Sequence, residues 1–278
     1  MDGFPRTTVG GLSLPRMVIG SNWFLGYSHT SSAKDRVIKQ QVTRERLSDI
    51  LTVFLERGVD AILWNPNPDV LAAMKDAEQR TGRAMIQIMN PIFSLLPGGD
   101  PETEPEVILD RCVEQGAAIC MPHQAVTDAL LDKRARVIRD LDRYMAMIRE
   151  RGMIPGLSTH TPEVPLYADK QGADVETYIQ IYNCAGFLMQ IETDWVMQHV
   201  IHKARKPVLT IKPLAAGRLL PVVGLAFVWS TIREQDMVCI GTMSAEEADE
   251  VIDLSLDLIE RRLPEGELQV TRSRRSLL

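Results

Sequence analysis

Eight short strand-like runs, each followed by a helix-like segment, constrain this chain more than any other feature. The runs are Met17–Gly20, Val59–Trp64, Ala84–Met89, Ala117–Met121, Met153–Leu157, Thr177–Tyr182, Val208–Ile211 and Met237–Ile240. Between them, periodicity predicts a helix over Arg44–Arg57, where Leu47, Ile50, Leu51 and Phe54 share one face and Gly58 ends the run. Further helices are expected over Pro68–Arg80, up to Gly116, and in one long stretch from about Val126 to Arg151. Others follow at Pro162–Lys170, Trp195–Ala204, Gly224–Arg233 and Ala245–Glu260. Asn22–Gln41 reads as a long polar loop, and Phe187–Ile191 is an alternative sixth strand. Such alternation fits an α/β fold, a (β/α)8 TIM barrel forming one domain over residues 1–278. Residues 1–16 would add an N-terminal hairpin turning at Gly10-Gly11, and residues 264–278 a basic, polar C-terminal tail.

Composition narrows the partners. A net charge of -6 argues against a general nucleic-acid surface. No apolar run is long enough to span a bilayer, and the first residues lack signal-peptide regions, so a cytoplasmic protein is expected. The four cysteines form no CxxC pair, and no GxGxxG or GxxxxGK[ST] motif offers a competing nucleotide fold.

Four segments carry a family likeness. Ile154-Pro-Gly-Leu-Ser158, Gln180-Ile-Tyr-Asn183, Lys212-Pro-Leu-Ala-Ala-Gly-Arg-Leu219 and Val238-Cys-Ile-Gly-Thr242 resemble, in order, elements of strands five to eight of the aldo-keto reductase superfamily. The resemblance implies that Ser158, Gln180, Gly217 and Gly241 lie where that family holds its NAD(P) cofactor. It also implies a catalytic tetrad, of which only the histidine is matched, by His123. Leu63 stands at the place of the family's aspartate, the loop after Trp64 has no tyrosine, and the third strand ends at Met89-Asn90 where the family has lysine. The acidic segment after Gly241 disfavours a 2′-phosphate. Losing the acid and its two tuning groups removes general-acid catalysis, typically worth about 100- to 10,000-fold.

The remaining polar groups suggest other chemistry. His29, His123 and His160 fall at or beyond strand ends, where separate imidazoles can converge on a divalent metal. Glu192 is a candidate ligand or base, and Lys212 could hold an anion, an enolate or a Schiff base. Trp23 and Tyr27 would form an aromatic wall for a small-molecule substrate, with Asn65 and Asn90 as amide contacts; the same wall would equally suit a homo-oligomer interface. The expectation is therefore an aldo-keto-reductase-like barrel acting on a small polar carbonyl or sugar-like compound by metal-assisted proton transfer, as a lyase, isomerase or hydrolase. An NAD(P)-dependent oxidoreductase with a non-standard proton donor, and a non-catalytic ligand- or partner-binding barrel, are the alternatives.

Overall fold

In the computed structural model, which describes residues 3–96 and 100–262, the eight expected barrel strands form one closed parallel ring. Their bounds are Met17–Gly20, Ala61–Trp64, Ile86–Met89, Ala117–Cys120, Ile154–Ser158, Tyr178–Ile181, Val208–Ile211 and Met237–Ile240. The eighth closes on the first, pairing Val238 with Met17 and Ile240 with Ile19. The fifth is split at Gly156. Ile154 and Pro155 pair with the fourth strand, while Leu157 and Ser158 pair with the sixth. A Cβ at Gly156 would lie 2.8 Å from the Met121 Cε and 2.9 Å from the Thr177 carbonyl oxygen, so a side chain there would force the two neighbouring strands apart.

Side chains alternate across the ring, as strand geometry requires. Val18, Ala61, Ile88, Ile119, Ile179, Leu209 and Met237 fill the barrel interior, while Ile19, Ile62, Met89, Cys120, Tyr178, Val208 and Val238 pack under the helices. The hairpin of Arg6–Val9 and Leu12–Pro15 sends Val9 and Leu14 into the interior cluster and plugs the N-terminal end. The other end is left for a site.

Several expectations are corrected. The stretch expected as one helix from Val126 to Arg151 is broken up into Gln124–Thr127, a 3-10 turn Asp128–Leu130, a small hairpin of Leu131–Asp132 with Val137–Ile138, and Leu141–Glu150. Its charged run makes the hairpin turn, with the Ala135 amide donating to Asp132 and left-handed backbone at Arg136 and Asp140 breaking the helical path. Part of the expected first loop is a helix, Ser32–Gln41, because Ser31 caps it and Asp35 sits in its first turn. Phe187–Ile191 is not a strand; the sixth is Tyr178–Ile181. The expected C-terminal tail lies outside the described residues. No helix among the described residues is long and apolar enough to cross a membrane.

Candidate active site at the barrel mouth

The C-terminal ends of the strands open into a cavity of about 880 Å3, a volume typical of small-molecule sites. Alternation carries Asn65, Asn90, His123, Ser158 and His160 into it, because each continues the inward-facing series of its strand. Lys212 arrives by exception. Leu209 and Ile211 face the interior, so a regular strand would turn Lys212 toward the helices. Its left-handed backbone, φ 62°, breaks the alternation, and the side chain lines the cavity. A turn holds it there, the Ala215 amide donating to the Lys212 carbonyl at 2.9 Å. Left-handed backbone at a residue other than glycine costs of order 1–3 kcal/mol and tends to gather at functional sites.

The first loop supplies Trp23, Tyr27 and His29 to the wall. Arg218 ties that loop down: it donates to the His29 carbonyl at 3.0 Å and its guanidinium stacks 4.1 Å above the Phe187 ring. Three loops, after strands one, six and seven, are thereby latched together over the mouth. Neither Arg218 nor Phe187 was singled out from the sequence; the arginine immediately after Ala215-Ala216-Gly217 was the available signal.

His123 is fixed in orientation. Its Nδ1 accepts the Ala125 amide hydrogen at 3.1 Å, so the neutral ring carries its proton on Nε2 as a donor. Burial, then the charge of Lys212, keeps its pKa below the ordinary histidine value. Burial, Lys212 and Arg218 do the same to His29. Burial pushes His160 down to about 4, with Lys212, His123 and His29 adding to the effect. Burial also lowers Lys212, and no carboxylate is among the groups acting on it; its ionisable neighbour is Cys239, whose own thiol burial pushes up to about 12. The floor of the cavity thus gathers one amine and three uncharged imidazoles.

The depressed His160 has a consequence for stability. An unfolded histidine takes up a proton near pH 6.5, one that the folded site rejects until about pH 4. The stability this group contributes is full above the unfolded value and is lost as pH falls from there toward the folded one. Urea unfolding midpoints should therefore drop over that window, and His160→Asn should flatten the drop. An identical slope in the variant would remove His160 as the cause.

These groups do not make the expected metal centre. No cluster of three or more His, Cys, Asp or Glu side chains suited to a metal occurs among the described residues. A histidine ligand normally donates its second ring N–H to an acceptor; His123 instead uses Nδ1 as an acceptor. The Lys212 amine adds a repelling charge whenever it is protonated. Glu192, the expected ligand or base, is exposed, precedes the short helix Thr193–Val196 and does not line the cavity.

The cofactor-side residues are also rearranged. Ser158 lines the cavity, but Gln180 follows inward-facing Ile179 on the sixth strand and is absent from the lining. Its Oε1 is buried without a partner. Gly217 and Gly241 both lie under the Trp23 indole. A Cβ at Gly241 would be 2.9 Å from Trp23 Cδ1, and one at Gly217 3.9 Å from Cζ2. The close approach these glycines permit is taken by the protein's own ring. Both glycines nonetheless line the cavity, with the Trp23 ring packed beside them.

No family model matches the chain, and no curated protein matches it. Solved structures do. A provisionally assigned aldo-keto reductase from Pseudomonas aeruginosa superposes with a TM-score of 0.62 at 13% identity, covering 91% of this chain and 95% of that one. The glycerol dehydrogenase of Gluconobacter oxydans gives 0.57 at 10% identity, covering 96% and 98%. An aldo-keto reductase from Brucella melitensis gives 0.56 at 11% identity, covering 94% and 98%. At such identities the likeness speaks for architecture: this chain has the fold of the aldo-keto reductases, a (β/α)8 barrel closed below by an N-terminal hairpin.

Proposed function

We propose that the chain is an enzyme that moves protons on a polar carbonyl compound bound at the floor of the mouth cavity. One observation carries this reading: Lys212 and three imidazoles line one cavity, and no carboxylate acts on Lys212. Such a set suits an electron-rich oxygen. The Nε2–H of His123 is directed by its Nδ1 bond to donate, and Lys212 can add a second donor, so negative charge forming on a carbonyl oxygen is stabilised. His29, uncharged near neutral pH, can accept the proton lost from the neighbouring carbon. Several lyase and isomerase reactions of carbonyl compounds begin with this step.

The test is hydrogen exchange at carbon. Dihydroxyacetone or pyruvate in D2O should lose its α-proton NMR signal faster with the protein than in buffer. His123→Gln should reduce that acceleration by about 100-fold or more. Exchange at the buffer rate across a panel of small aldehydes, ketones and 2-oxo acids would sink the reading.

The structural neighbours favour a second reading, nicotinamide-dependent oxidation and reduction, since they include a glycerol dehydrogenase and proteins described as aldo-keto reductases. It would place the cofactor in the mouth cavity beside Trp23, Gly217 and Gly241. Titration with NADH and NADPH, read by tryptophan fluorescence, separates the two: saturable micromolar binding favours this one.

A further inference from the structure

An unpaired lysine inside a cavity has two uses. It can stay charged and hold an anion, or shed its proton and become a nucleophile. The surroundings of Lys212 favour the second. A buried ammonium needs an opposite charge to offset its lost hydration, and the last helix's Glu247 and Glu250, which line the same cavity, do not act on it. Its titratable neighbour on the eighth strand, Cys239, holds its own proton. Around it stand His29, His123 and His160, each of which is uncharged near neutral pH and can carry a proton to or from the amine's partner.

The backbone points the same way. Only the left-handed turn at Lys212 brings this side chain from the helix layer into the cavity, and Pro213 and the Ala215 amide lock that turn. A single side chain is presented at strained cost, in a position where a regular strand would hide it.

We propose that Lys212 forms a reversible imine with the carbonyl carbon of its substrate, an aldehyde, ketone or 2-oxo acid. The inference rests on the carbonyl reading above and makes that chemistry covalent. In the first step the Nζ lone pair forms a C–N bond while the C=O π electrons move onto oxygen, to which the His123 Nε2–H donates a hydrogen bond. The ammonium nitrogen then passes a proton to a neutral imidazole, His29 being the candidate because burial holds His160 down to about 4. That imidazole returns it to the oxygen, giving the carbinolamine. The nitrogen lone pair then expels the hydroxyl while the same imidazole carries the second nitrogen proton to it, so the C–O bond breaks and water leaves. Amine and carbonyl give imine and water, with no change of oxidation state. A protonated imine withdraws electrons from the adjacent carbon, so the later loss of a proton or carbon fragment there is eased without a metal.

The test is reductive trapping. The full chain is incubated with pyruvate, glycolaldehyde or glyoxylate, each with borohydride, and mapped by peptide mass spectrometry. Labelling at Lys212 should exceed the average of the other lysines by at least ~10-fold, a conservative share of the about 100-fold or more that positioned proton transfer typically adds. Lys212→Arg should lose the label while Lys34→Arg, a rim change, keeps it. The thermal midpoint of each variant, and quenching of tryptophan fluorescence by the same probes, are read in parallel. Labelling spread evenly over lysines, or retained elsewhere at equal level in Lys212→Arg, overturns the imine. Probe binding or carbon exchange without label at Lys212 overturns the imine and leaves the carbonyl reading standing. Neither binding, exchange nor label overturns both.

Discussion

Asp236→Ala is expected to lower the free energy of unfolding by about 3 to 5 kcal/mol, the cost of leaving a buried ion pair half made. Asp236 is fully buried at the closed end of the barrel, just before the eighth strand. Its carboxylate accepts four hydrogen bonds: from the Val208 amide at 2.8 Å, and from the Arg233 amide, Nε and Nη2 at 2.9, 2.9 and 2.7 Å. Alanine would leave the Val208 and Arg233 amides and Arg233 Nε without their acceptor, while Nη2 keeps one of its two. Arg233 keeps two carbonyl contacts, to Ala204 and Lys206, which should hold the loss below that of a wholly isolated charge. For a chain of this size the thermal midpoint should fall by roughly 10 °C. Asp236→Asn, which keeps the shape and one acceptor, should recover part of the difference. A loss under about 1 kcal/mol in urea denaturation, no more than an ordinary hydrogen bond, would contradict the account.

The second large effect is expected at Gly224, in the helix Pro221–Thr231. A Cβ there would stand 2.6 Å from the Pro213 carbonyl oxygen and 2.8 Å from Leu214 Cδ2. Alanine gains about 1 kcal/mol over glycine in a helix interior, but overpacking against backbone costs about 1 to 3 kcal/mol. Sterics should win, narrowly for Gly224→Ala and by about 2 to 3 kcal/mol for Gly224→Val. Because the displaced carbonyl belongs to the residue after Lys212, stability and carbonyl-probe labelling should decline together along Gly, Ala and Val. A valine variant with full stability and full labelling would refute the close approach.

The fold was readable because its signal is distributed. Eight strands recur at regular intervals, and each was visible from its own apolar run and bounding turn residues. The Leu47–Ile50–Leu51–Phe54 face likewise appears as expected, buried to 2% exposure or less. Failures came where local chemistry opposes periodicity. Arg136 and Asp140 adopt left-handed backbone within a run that reads as helix, and no pattern of hydrophobicity announces that. At the mouth, residue positions were legible and their partners were not. His29, His123, His160 and Lys212 do meet in one cavity, but whether His123 offers a lone pair or a proton depends on one backbone amide, at Ala125. Gly217 and Gly241 were legible as places of close approach. What packs beside them is Trp23, from the first loop of the barrel. Gln180 and Glu192 show the limit of a local motif: the first sits on the outward parity of its strand, the second outside the cavity.

The left-handed residues around the mouth bear on how this sequence could change under selection. His29, Leu188, Lys212, Ala215 and Ala216 are left-handed without being glycine, and all belong to loops at the strands' C-terminal ends. Glycine at Ala215 or Ala216 would relieve strain in the native state, so a search for heat tolerance alone would be drawn to these positions. The same changes would loosen the turn that presents Lys212. Under the proposed chemistry, a lineage that no longer needs Lys212 should let this loop drift toward glycine, and one that does should keep the strained residues.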